Sequence, residues 1–164
     1  MNNDQTETKD LAAQTVKRLL ETEKTLATAE SCTGGLIAAR VTDVPGCSAV
    51  FLGGCVTYTN EIKTALLGVD PASIAAHTEV SAQVAKELAR GARERLGADL
   101  AVSATGFAGP GGGTAQNPAG TVYIALADAD GETAWRLELG DIGREAVREG
   151  VVAEIFRKIL EKLE

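Results

Sequence analysis

Apolar positions along the chain alternate between helical and strand periods. Ala12, Val16, Leu19 and Leu20 recur at helical spacing, which predicts an amphipathic helix over about residues 8–23. A short β-prone run, "TLATAE" from Thr25 to Glu30, follows, and after Gly34 and Gly35 the apolar "LIAARV" predicts a second helix. "PGCS", Pro45 to Ser48, reads as a turn. "AVFLGGCVTY", Ala49 to Tyr58, reads as a strand whose Gly53-Gly54 pair suggests a bulge or a close backbone approach. Asn60 is a plausible N-cap for a short helix holding Lys63, Leu66 and Leu67, which "GVDPAS" closes.

Ser81 can cap a longer helix whose Ala85, Leu88, Ala92 and Leu96 share one face up to Gly97. "DLAVSATG" alternates as a strand, and a glycine-rich loop runs from Gly106 to Gly120. A loop of that length and composition is more than a connection. "TVYIALAD" and "ETAWRLEL" read as a hairpin turning through Asp130-Gly131, and a final helix starts near Arg144. Helices interleaved with strands, then a hairpin, predict an α/β (α+β sandwich) fold, a mixed sheet covered by helices. In such sheets ligands bind where loops leave the carboxyl ends of strands. Three unusual segments fall at or near such ends: Glu30 to Gly35, Pro45 to Lys63 and Thr105 to Gly120.

Composition narrows this picture. With 164 residues, 45% of them hydrophobic and 18 glycines, the chain is expected to form one domain over 1–164. It has no apolar run near the roughly 20 residues a membrane span needs, and "MNNDQTETKD" lacks the regions of a signal peptide, so a cytoplasmic protein is expected. A net charge of −7 argues against a nucleic-acid surface but leaves room for a small anionic ligand held by a local cluster of donors. Cys32, Cys47 and Cys55 form no C-x-x-C pair and read as reduced thiols, Cys32 being the only one to weigh as a nucleophile. His77 reads as a surface or helix-end residue, and no metal signature is present.

Two constellations could carry chemistry. A turn from Ser31 through Thr33, Gly34 and Gly35 into a helix offers unpaired backbone N–H groups to a phosphate, carboxylate or oxyanion; simple helix capping is the plainer alternative. Ser48, Tyr58 and Lys63 form the second, because a lysine whose pKa has been lowered can deprotonate a hydroxyl nucleophile and a tyrosine can relay the proton. Glu30 and Glu61 could instead pair with that lysine, and Lys63 could be an ordinary exposed helical residue. Backbone amides of the loop from Thr105 onward add an anion-binding nest.

"TAESCTGGLIAARVTDVPGCSAVFLGGCVTYTNEIKTALLGV", "VSATGFAGPGGGTAQNPAGTVYIAL" and "GDIGREAVRE" together resemble the C-terminal domain of the CinA family, the stand-alone nicotinamide mononucleotide (NMN) deamidases. The similarity runs from about Leu11 to the last helix. It implies hydrolysis of the NMN carboxamide to nicotinic acid mononucleotide and ammonia in pyridine nucleotide salvage, with neither metal nor organic cofactor. It also implies a serine and a lysine as catalytic pair. Cys47 stands where the family's first serine would be, and Ser48 keeps the second hydroxyl. The expected nucleophile is therefore Ser48, with Lys63 as base and Tyr58 assisting; exchanging Ser48 for Ser31 is the close alternative. Substrate is expected to bind Thr33, Gly34, Gly35, Thr105, Gly106 and Gly109, with Arg144 or Arg148 on its phosphate. Phe51, Phe107 and Tyr123 are the candidates to line a nicotinamide pocket. A non-catalytic nucleotide-binding module and an amidohydrolase of a related pyridine nucleotide are the competing readings. A homodimer is expected only as the commonest state of a soluble enzyme.

Overall fold

The computed structural model describes residues 3–164, with side chains from residue 5 onward. Among these described residues five strands form one sheet: β1 (Leu26–Glu30), β2 (Phe51–Val56), β3 (Leu100–Gly106), β4 (Thr121–Asp128) and β5 (Gly131–Glu138). Their order is β2-β1-β3-β4-β5; β1 pairs in parallel with β2 and β3, and β4 runs antiparallel to both β3 and β5. Every residue of β1 is buried, as expected of a parallel strand covered on both faces. The register of β1 on β2 slips beside Leu52, so the irregularity expected near Gly53-Gly54 is present.

Six α-helices among the described residues cover the sheet: α1 (Asn3–Glu21), α2 (Leu36–Thr42), α3 (Asn60–Leu67), α4 (Pro71–His77), α5 (Ala82–Leu96) and α6 (Arg144–Lys162). Alternation along the strands divides the core. Leu26, Val102, Ile124 and Leu137 pack under Val16, Ile37, Val151 and Phe156 of α1, α2 and α6. Ala27, Ala29 and Ala101 point the other way, against Leu67 of α3 and Val84 and Leu88 of α5. Small residues there let helices come close. A Cβ on Gly91 of α5 would lie 2.1 Å from the Leu67 carbonyl oxygen, so α3 is pressed backbone to backbone on α5.

Ser81 and Gly97 bound α5 as expected, the Ser81 hydroxyl accepting from the Val84 N–H. Three details differ from the sequence pattern. Thr59, one residue before Asn60, caps α3 through its hydroxyl. Of "GVDPAS", Gly68 does close α3, but Asp70 then caps a further helix, α4, that Pro71 starts at the position where proline suits a helix. The hairpin turns through Ala129 and Asp130, because Asp128 already pairs with Gly131. No described helix is long and apolar enough to cross a membrane.

Candidate active site

The chain leaves β1, crosses by α2 to β2 at one edge, then returns through α3, α4 and α5 on the other face to β3 on the far side of β1. Strand order therefore reverses between β1 and β3, which opens a crevice at their carboxyl ends. Ser31 directly follows β1, and its N–H donates to Ala104 of β3 at 2.9 Å. Lys63, on the first turn of α3, drops into this crevice and is 1% exposed. Its ammonium donates to Ser31 Oγ at 3.1 Å and to the carbonyls of Thr57 at 2.9 Å and Tyr58 at 3.2 Å. Burial lowers the Lys63 pKa, with Glu79 and then Cys32 opposing the shift. The geometry suits a base. Once one proton is lost, two carbonyls still hold two N–H groups, and the lone pair is left facing the Ser31 hydroxyl.

Ser31 and Lys63 open onto a pocket of about 350 Å³, formed by Tyr58, the Glu79–Val80 segment, the Thr105–Gly112 stretch and Arg144. Arg144, from the first turn of α6, donates to the Gly109 carbonyl and to the Tyr58 hydroxyl, both at 3.0 Å. Positive φ values at Gly109, Gly111 and Gly112 curl the loop around the pocket. Phe107 is the aromatic of the loop that lines it, whereas Phe51 packs against the core under α1, α2 and α6 and does not line the pocket. Cys32 also lines it, but burial pushes its thiol up to about 12, so it stays neutral. Among the described residues no three His, Cys, Asp or Glu side chains are grouped to hold a metal ion.

Several residues expected at the site lie elsewhere. Ser48 sits on an exposed 3₁₀ turn, Cys47–Ala49, that precedes β2, while Tyr58 and Lys63 follow it. Since β2 runs parallel to β1, Ser48 is at the amino end of the sheet, a strand length of about 20 Å from Lys63. Tyr58 meets Lys63 through its carbonyl, not its hydroxyl, which bonds Arg144. Nor is the α2 N-terminus free for an anion. The carboxylate of Glu30 fills it, accepting from the N–H groups of Gly35 and Ile37 at 3.0 Å and Ala38 at 2.9 Å. Glu30 is thus a cap and not a partner of Lys63, and Thr33, Gly34 and Gly35 serve the turn behind Ser31. Arg148 lies behind the pocket too, donating to the Thr33 carbonyl at 2.7 Å.

Thr105, Gly106 and Gly109 do line the pocket. Sequence reasoning missed Glu79, which joins them. Its only local signal is its place between two helices, after Thr78, whose φ of 65° and ψ of 166° are normally the province of glycine.

A family model described as the CinA C-terminal domain matches residues 8–163. The chain belongs to the CinA family. Among curated relatives, it is 58% identical over 123 residues to a CinA-like protein of Chlorobaculum tepidum, covering 75% of this chain and 29% of that protein. It is 63% identical over 110 residues to one of Geobacter sp. strain M21, covering 67% and 27%. This CinA-family chain thus spans less than a third of the length of those relatives. It superposes on the competence/damage inducible protein CihA from Agrobacterium tumefaciens with a TM-score of 0.92, at 38% identity and 94% coverage of both chains. A CinA superfamily protein of Escherichia coli superposes with a TM-score of 0.90, at 31% identity and 98% coverage of both.

Proposed function

We propose that this CinA domain hydrolyses the carboxamide of nicotinamide mononucleotide to nicotinic acid mononucleotide and ammonia, with Ser31 as nucleophile and Lys63 as its base. The observation that carries the reading is the 3.1 Å contact between the buried Lys63 Nζ and Ser31 Oγ at the floor of the pocket. Lys63 takes the Ser31 proton as Oγ bonds to the amide carbon, and the oxyanion so formed faces backbone N–H groups of the glycine loop. As the C–N bond breaks, Lys63 returns that proton to the leaving nitrogen, which departs as ammonia. Water then attacks the Ser31 ester, giving its proton to Lys63. The C–Oγ bond breaks, Ser31 recovers its proton from Lys63, and the acid ionises. Arg144 and the loop fit the substrate phosphate, and the pocket volume is that of a small-ligand site.

The test is ammonia release from NMN by purified protein and by Lys63→Ala, without added metal. Release that Lys63→Ala abolishes is the expected result. NMN binding without release by the unaltered protein would overturn the hydrolase reading in favour of a nucleotide-binding module.

A further inference from the structure

Glu79 supplies the sole carboxylate among the described residues lining the pocket, and that carboxylate has no hydrogen-bond or ion-pair partner within the described chain. Its backbone, by contrast, is firmly held. Thr105 Oγ1 donates to the Glu79 carbonyl at 2.7 Å, and Asn117 Nδ2 to the Val80 carbonyl at 3.1 Å. The Ser81 hydroxyl donates to Thr78 O at 2.9 Å, and the Thr78 N–H to Ile74 O at 2.8 Å. These bonds keep Thr78 in its glycine-like conformation and fix where Glu79 leaves the chain. An unpaired acid is thereby presented to the same pocket that holds Ser31 and Lys63.

We infer that Glu79 selects carboxamide over carboxylate at the reacting end of the ligand, accepting the amide N–H groups of substrate and repelling the acid product from the same place. This rests on the amide-hydrolysis reading. A carboxamide presents two N–H donors where a carboxylate presents only acceptors and a negative charge. With Arg144 on the phosphate that both ligands share, the Lys63 ammonium beside Ser31 would by itself favour the charged product, and the site would be held by what it makes. Glu79 reverses that preference. Its negative charge also raises the proton affinity of Lys63, a second effect that the test must separate.

Ser31→Ala and Ser31→Ala/Glu79→Gln proteins would be titrated calorimetrically with NMN and with nicotinic acid mononucleotide. Both ligands carry the same pyridinium, ribose and phosphate, so the ratio of their Kd values reports on the reacting group alone. The expected result is that Glu79→Gln shifts the ratio at least about tenfold towards the acid, while Glu79→Asp keeps most of the discrimination. A ratio unchanged within about twofold overturns the inference, even where Glu79→Gln displaces the pH profile of turnover, because Glu79 would then act only on Lys63. Failure of the Ser31→Ala protein to bind either ligand also overturns it. Ammonia release by the unaltered protein is scored separately: a shifted ratio without release would remove the hydrolase reading and leave Glu79 as a binding determinant.

Discussion

Lys63 is an ammonium surrounded by carbonyls and a hydroxyl, nearly closed off from water, and burial is the first cause of its lowered pKa. Only its neutral form can accept the Ser31 proton, so kcat/KM should rise with pH through the pKa of Lys63 and then level off. The midpoint should lie below 10.5, the ordinary lysine value from which burial displaces it. A pH–rate profile with no limb of this kind would remove Lys63 as the base. At the same scale the two serines are separable. Ser31→Ala should lower kcat by at least roughly 10³-fold, because nucleophile and base act as a unit. Ser48→Ala, on an exposed turn at the other end of the sheet, should stay within about twofold, and turnover assays of the pair decide between them. That Ser48 precedes a strand was legible in the sequence, but only the parallel pairing of β2 with β1 puts it at the end of the sheet away from Ser31.

At the level of elements, α2 depends on a carboxylate from the strand before it. Glu30 is 1% exposed and accepts three N–H groups of the α2 N-terminus, so its removal leaves donors without partners in a dry place. Glu30→Ala should cost on the order of 3 kcal/mol in chemical denaturation, a fall in Tm of about 6–12 °C for a chain this long. Glu30→Gln, which keeps an acceptor oxygen, should cost less. An unchanged Tm for Glu30→Ala would mean that water satisfies those donors. The elements themselves were largely legible: α5 announced both its ends at Ser81 and Gly97, and the buried strands were visible as apolar runs. The short α4 was not, since seven residues carry barely two turns of periodicity and its opening proline reads equally well as a turn. Glu30 was visible as a residue but not as a cap, because its acceptor reaches five to eight positions ahead, beyond the local capping pattern.

Across the whole molecule, the pocket joins residues that the sequence keeps far apart: Ser31 after β1, Lys63 on α3, Glu79 between α4 and α5, the loop after β3, and Arg144 at the start of α6. Ser31, Lys63, Thr105 and Arg144 could each be suspected from their local motifs, but which of them meet is set by strand order, and no spacing along the chain encodes it. The two arginines of α6 show the difference. They lie one turn apart and looked interchangeable as phosphate ligands. Arg144 stands over the pocket beside Gly109 and Tyr58, whereas Arg148 points down to the Thr33 carbonyl and packs near Gly34. Because the chain carries a net charge of −7, an anionic substrate needs a local cation, and Arg144 is the guanidinium that lines the pocket. Arg144→Ala should therefore raise the KM for NMN about tenfold or more with a smaller effect on kcat, the pattern of an interaction shared by ground and transition states. Arg148→Ala should instead act through the fold, lowering stability by about 1–3 kcal/mol as the Thr33 carbonyl loses its charged donor, with KM less affected. Steady-state kinetics and denaturation of the two variants form one experiment. If Arg148→Ala raises KM and Arg144→Ala does not, the phosphate binds at the α2 end of the crevice, and the orientation of the nucleotide in the pocket is reversed.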